Sequence, residues 1–261
     1  MIMRNLSNFI KGNRIDGHIH LFNHKESLKN PYHYPYSSCV GFMDLEYDTN
    51  NIDVIGSYKR YIENDYNGKD ILLATGTTID DIKYLLENYP MIKGIGELKC
   101  YDNYRNKPLP YKDINFVDDC CELAGLYGYP IYLHWELDND KYIKQLRDLL
   151  EKYPHQKIVL CHCGMGDELC GNILKEVVKL MGMYNNLWVD ISYNALNHFT
   201  TNTNDLKLLD KSKVILGTDF NNKLFGPNHD SKKETQEIIN KLDILSKYID
   251  SDTNIKRLFN I

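Results

Sequence analysis

Ile15-Asp16-Gly17-His18-Ile19-His20 decides how this chain folds, because it sets two histidines two residues apart in an apolar run. In an extended strand, positions i and i+2 point to the same face. His18 and His20 therefore project together from one rigid element. Neutral imidazoles are good ligands for zinc and related cations, and such a pair needs little rearrangement to bind one. Two hydrogen-bonded interior histidines would give the same letters, so the rest of the chain has to choose.

Outward from this stretch, Arg14–Leu21 is the first of eight strand-length runs. The others are Val40–Leu45, Ile71–Thr75, Ile92–Leu98, Ile131–Trp135, Ile158–His162, Leu187–Ile191 and Val214–Thr218, runs of β-branched or otherwise apolar residues. Helical spacing of three and four fills the intervals, as in Ile82, Leu85, Leu86 and Tyr89, or Ile143, Leu146, Leu149, Leu150 and Tyr153. Asn67-Gly68, Pro90, Gly128 and Pro154 follow these patterns as stops, supplying a left-handed position or a missing amide. A later helix carries Ile173, Leu174, Val177, Val178 and Met181, and a final one Ile238, Ile239, Leu242 and Leu245. The seventh crossover is the weakest: Asp205–Leu209 suggests a short helix, while Asn197–Asp205 and Asn23–Ser38 read as loops.

Strands alternating with helices fit either an open doubly wound sheet or a closed barrel. The chemistry-bearing residues separate the two. His134 ends the fifth run and His162 the sixth, Asp219 follows the eighth in Leu216-Gly217-Thr218-Asp219, and Glu97 sits in the fourth as Gly94-Ile95-Gly96-Glu97. An open sheet would spread the ends of strands 1, 4, 5, 6 and 8 apart, whereas a barrel gathers them at one mouth, where barrel enzymes keep their chemistry. The expectation is an α/β chain forming one (β/α)8 TIM barrel over residues 1–261, close to the roughly 250 residues such barrels use.

With those residues in place, the chain resembles the amidohydrolase superfamily. Asp16-Gly17-His18-Ile19-His20, the later His134 and His162, and Leu216-Gly217-Thr218-Asp219-Phe220 are similar to the amidohydrolase-related family, also called amidohydrolase 2. Leu187-Trp188-Val189-Asp190-Ile191-Ser192 is similar to that family's seventh-strand segment, and Gly94-Ile95-Gly96-Glu97 looks like the fourth strand of TatD-type hydrolases. The resemblance implies His18, His20 and Asp219 on one divalent cation, His134 and His162 on another, and Glu97 bridging them. One cation or two stays open, with zinc the first expectation and manganese the alternative. It also implies that Asp219 takes a proton from the attacking water and passes it to the leaving group, and that Lys99 is a rival fourth-strand residue.

Each reading has a plainer counterpart. Glu97 could instead pair with Lys93 or Lys99, and Asp219 could cap a following helix. Asp16 suits a hydrogen bond to a histidine. Trp135 and Glu136 follow His134 and either line the pocket or, the plainer reading, are surface or loop residues, and His24, His33 and His229 read as loop histidines. If the sixth strand continues, alternation sends Cys161 and Cys163 away from the His162 side, as packing thiols rather than ligands.

Composition limits the function. The net charge is −5 and no run of five or six basic residues occurs, which argues against a nucleic-acid partner. No apolar stretch approaches the roughly 18 residues of a membrane span, Met1–Lys11 lacks a signal-like apolar core, and seven cysteines make no disulfide framework. The expectation is a cytoplasmic metal-dependent hydrolase acting on an amide, lactone, ester or related bond of a small molecule, with oligomeric state left open. The rivals are a nonoxidative decarboxylase, a TatD-like phosphodiesterase or nuclease, and a non-enzymatic barrel with a structural cation.

Overall fold

All eight runs become strands in the computed structural model, which describes residues 15–21, 38–43, 54–64, 66, 68, 70–76, 78–99, 114–165, 171–219 and 231–261. They are β1 (Ile15–Leu21), β2 (Ser38–Met43), β3 (Ile71–Ala74), β4 (Ile92–Lys99), β5 (Ile131–His134), β6 (Ile158–Leu160), β7 (Leu187–Ile191) and β8 (Val214–Leu216). Each pairs in parallel with the next, in the order β1 to β8. The described α-helices are α1 (Val54–Asn64), α2 (Ile79–Asn88), α3 (Ile114–Tyr127), α4 (Asp140–Lys152), α5 (Gly171–Met183), α6 (Asn194–Thr201), α7 (Ser231–Leu245) and α8 (Ser251–Phe259). The result is a (β/α)8 barrel. Among the described residues no helix is long and apolar enough to cross a membrane.

Packing outweighs local propensity in holding the helices on the barrel. In α4 the side chain of Asn139 accepts the Tyr142 N–H at 3.1 Å, a cap of the kind worth about 1 kcal/mol. Leu146, Leu149 and Leu150 on the same helix are buried against the strands, and each contributes about 1.5–3 kcal/mol. Thr78 and Asp81 form a reciprocal capping box at the start of α2.

Closure between β8 and β1 depends on side chains and on two glycines. The Asp219 N–H donates to the His18 carbonyl at 2.9 Å. Asp16 stitches the same seam: its Oδ1 accepts the N–H groups of His18 (3.0 Å) and Thr218 (2.9 Å), and its Oδ2 accepts the Thr218 hydroxyl at 2.7 Å. A Cβ on Gly217 would lie 2.5 Å from His18 Cβ, and one on Gly17 would lie 2.7 Å from the Leu216 carbonyl oxygen. Only hydrogen fits at either place. Gly217→Ala is expected to lower the unfolding free energy by about 1–3 kcal/mol, as overpacking does. Gly182→Ala on α5, where an added Cβ meets nothing within 4 Å, is the control and should be neutral or stabilising. Equal denaturant midpoints for the two variants would contradict the seam packing.

Three features depart from the sequence reading. The expected loop Asn197–Asp205 begins inside a helix, Asn194–Thr201, because Ala195, Leu196 and Phe199 are buried at helical spacing while the asparagines and threonines cover the outer side. Beyond it Thr203–Lys207 is a 3-10 turn in place of the expected Asp205–Leu209 helix. Helix α8 was not anticipated at all. Its Ile255, Leu258 and Phe259 pack with Val40, Ile71, Leu73, Tyr132, Val159, Trp188 and Ile215 in the barrel interior. It lies beneath the strand starts, where Ile15 N–H donates to Asp252 (2.9 Å) and Asn254 donates to the Val214 carbonyl (2.6 Å). Lys157, just before β6, binds the carbonyls of Arg257 and Leu258, each at 2.8 Å. Helix α8 thus plugs the end opposite the histidines.

Candidate metal centre

The strand that opens the barrel also founds the site. His18 and His20 are both buried, and their Nε2 atoms lie 3.4 Å and 3.0 Å from Asp219 Oδ1. Asp219 reaches them from the turn after β8, where its backbone is left-handed (φ 54). From β4, Glu97 enters between this group and a second one. Its Oε2 is 3.6 Å from His20 Nε2, and its Oε1 is 2.9 Å from His134 Nδ1 and 3.2 Å from His162 Nε2. The residue before it has to be glycine: Gly96 has φ +130, and a Cβ there would lie 2.5 Å from the Tyr132 carbonyl oxygen. All six residues singled out in the sequence therefore meet at one mouth.

His162 arrives there by a route that alternation does not describe. Val159 faces the barrel interior and Leu160 the helices, so a continued strand would turn Cys161 inward and His162 outward. The strand instead stops at Leu160, and His162 (φ 52) and Cys163 (φ 56) are both left-handed. Such a backbone costs about 1–2 kcal/mol per non-glycine residue. The bond from His162 N–H to Asp190 Oδ1 at 3.0 Å helps to offset that cost. The turn brings the imidazole back to the mouth. The expectation for the cysteines is corrected in part: Cys163 packs outward, while Cys161 lies inward, its ligand atom within 4.8 Å of those of His18 and Asp190. Burial and the nearby Asp190 carboxylate push the Cys161 thiol up, so it stays neutral and packs.

Asp190 on β7 is the functional residue that the sequence reading missed. Fully buried, it accepts His18 Nδ1 on Oδ2 at 2.9 Å, and on Oδ1 it accepts His162 N–H and the hydroxyl of Ser192. Ser192 Oγ in turn lies 2.8 Å from His162 Nδ1. The available signal was its phase, two residues before Ser192 in a strand whose Trp188 also faces inward. Asp16 is corrected in the same region, since it binds the His18 backbone amide and not an imidazole. Burial pushes the Asp16 carboxyl up to about 7, against the pull of its Thr218 and His18 donors.

Opposed charges dominate the cluster. Burial works against the Glu97 carboxylate, but His134, Lys99 and the hydrogen bonds from His134 and His162 hold it well below the usual range. Burial likewise opposes the Asp219 charge, and His162, His18 and His20 overcome it to the same effect. The His18 imidazolium is disfavoured by burial, yet Asp190 and Asp219 hold its pKa well above the ordinary value. Lys99 stands 3.9 Å from Glu97 Oε2, while Lys93 lies over the Tyr129 ring, so Glu97 faces imidazoles first and one lysine at the edge.

This donor set fits a divalent cation. His18, His20 and Asp219 bring ligand atoms within 4.8 Å of one another, and so do His18, Glu97 and His162. Among the described residues Glu97 Oε2 is buried without a hydrogen bond, which is costly for a carboxylate unless a cation satisfies it. Two residues after β5 stand at the rim, as pocket lining rather than surface. Trp135 and Glu136 are buried, with Trp135 Nε1 donating to the Tyr142 carbonyl at 3.1 Å and Glu136 3.8 Å from His134 Nε2. His198 pairs with Asp205 at 2.8 Å, away from the cluster. His24, His33, Phe220 and His229 lie outside the described residues.

No protein-family model and no curated protein matches the chain. Solved structures do. A probable 2-pyrone-4,6-dicarboxylic acid hydrolase from Acinetobacter baumannii, with citric acid bound, is similar at 18% identity, a TM-score of 0.61 and coverage of 96% of this chain and 100% of that one. A TatD homolog from Escherichia coli k12 gives 14% identity, a TM-score of 0.60 and coverage of 95% and 98%. A dihydroxybenzoic acid decarboxylase from Polaromonas sp. JS666, with bound manganese and the inhibitor 2-nitroresorcinol, gives 13% identity, a TM-score of 0.54 and coverage of 96% and 97%. The likeness establishes the (β/α)8 barrel fold. It spans more than one reaction, so the reaction has to be argued from the site.

Proposed function

We propose that this protein is a metal-dependent hydrolase that cleaves an amide, lactone, ester or related bond of a small molecule in the cytoplasm. The observation that carries the reading is the placement of Glu97, with one carboxylate oxygen toward His134 and His162 and the other toward His20 and the Asp219 group. His18, His20 and Asp219 would hold one divalent cation and His134 and His162 a second, with Glu97 shared; zinc suits the imidazole-rich set, and manganese is the alternative. When bound, such a cation polarises the scissile bond and brings the pKa of water toward about 7.

The chain's own residues do the rest. Asp219, with a side chain 11% exposed, is ionised at the open edge of the cluster, where it can take a proton from water and return it to a leaving group. Asp190 and Ser192 hold the far nitrogens of His18 and His162, so the near ones stay aimed at the mouth. The net charge of −5 speaks against a nucleic-acid substrate.

The test begins with chelator-treated protein. Added zinc or manganese is expected to bind and to raise the unfolding free energy by about 2.7 kcal/mol at a hundredfold excess over Kd. The loaded protein, offered a panel of esters, lactones, amides and aromatic carboxylic acids, should give products that have gained water. Release of carbon dioxide from an acid without water uptake would place the site among decarboxylases, and a protein that binds neither cation would end the reading.

A further inference from the structure

One buried carboxylate serves both halves of the cluster. Asp190 is inaccessible to solvent, and it accepts His18 Nδ1 on Oδ2 and the His162 N–H and the Ser192 hydroxyl on Oδ1. Because Ser192 spends its proton on Asp190, its oxygen can only accept from His162 Nδ1, 2.8 Å away. The hydrogens can be arranged in one consistent way, with Nδ1 protonated on both imidazoles. Their Nε2 atoms are then left for the mouth, where His18 Nε2 faces Asp219 and His162 Nε2 faces Glu97.

We infer that Asp190 is the positioning residue of the whole centre, fixing the Nδ1–H form of His18 directly and that of His162 through Ser192, one histidine for each cation. The inference rests on reading the cluster as a cation centre, and it assigns Asp190 and Ser192 separate halves. In Asp190→Asn the amide oxygen takes the side that receives two donors, so the amide nitrogen faces His18 Nδ1. Donor then meets donor, and His18 moves its proton to Nε2, where it can no longer ligate. Ser192→Ala leaves His18 alone and releases His162. Removal of such outer partners costs about 10–100-fold in cation affinity.

Nitrogen-15 spectra of the imidazoles, recorded on the cation-free and the zinc-loaded protein, test this together with titration calorimetry. Wild type should show protonated Nδ1 on His18 and on His162 in both states. Asp190→Asn should lose it on His18 and weaken zinc binding at the His18, His20 and Asp219 half. Ser192→Ala should lose it on His162 and weaken only the His134 and His162 half. A wild-type spectrum lacking either Nδ1 proton would overturn the inference, and so would folded variants whose spectra and affinities match wild type. If Asp190→Asn does not fold, the wild-type spectrum and Ser192→Ala still decide. If wild type binds no zinc, the cation centre fails, while the cation-free spectra still decide the assignment of the protons.

Discussion

Asp219→Asn is expected to lower kcat/KM by about 10²–10⁴-fold, the range that a positioned general acid–base group supplies. The cation content should remain. Asparagine suits the experiment for two reasons. It keeps an oxygen that can face His18 and His20 but cannot take a proton, and with glycine and aspartate it tolerates the left-handed backbone that Asp219 adopts at φ 54. Alanine would confuse the result by adding about 1–2 kcal/mol of backbone strain. Metal analysis beside kinetics on whichever substrate is turned over separates the two roles. Unchanged turnover would remove Asp219 from the chemistry.

Glu97→Gln should have the second large effect, on stoichiometry. The side chain is almost fully buried, with His134 Nδ1 at 2.9 Å and His162 Nε2 at 3.2 Å from one oxygen and His20 Nε2 at 3.6 Å from the other. Removing one partner from a buried ionic group costs about 3–5 kcal/mol, which is about 10²–10³-fold or more in affinity. The expected result is a protein that holds one cation tightly where wild type holds two. Lys99→Met is the companion variant, since its amine stands 3.9 Å from Glu97 Oε2 on a side chain 32% exposed. If Glu97 merely pairs with that lysine, the two variants should behave alike. On the present reading only Glu97→Gln changes the metal count.

Much of this was legible because two periodicities are simple. Runs such as Ile71–Ala74 and Leu187–Ile191 announce buried strands, and six ligand-type residues at their ends require a closed barrel to meet. What escaped the letters involves contacts between distant segments. Gly17 and Gly217 are ordinary glycines until β1 and β8 approach so closely that a Cβ would clash. Asp190 reads as one polar residue in an apolar strand, and only its fully buried place between His18 and the His162 turn reveals its work. His162 itself was found for a partly wrong reason: its strand ends two residues early, and a left-handed turn restores the direction that alternation would have denied it. Helix α8 was hidden because its apolar residues cover a barrel end instead of a barrel side.

Anomalous diffraction from crystals of the zinc-loaded protein tests the cation centre most directly. One peak is expected about 2.0–2.2 Å from His18 Nε2, His20 Nε2 and an Asp219 oxygen, and a second at similar distances from His134 Nδ1 and His162 Nε2, with one Glu97 oxygen on each. A single peak at the cluster would make the centre mononuclear and return Glu97 to Lys99. Zinc bound elsewhere, with the six side chains touching no cation, would show that this cluster is not a cation centre.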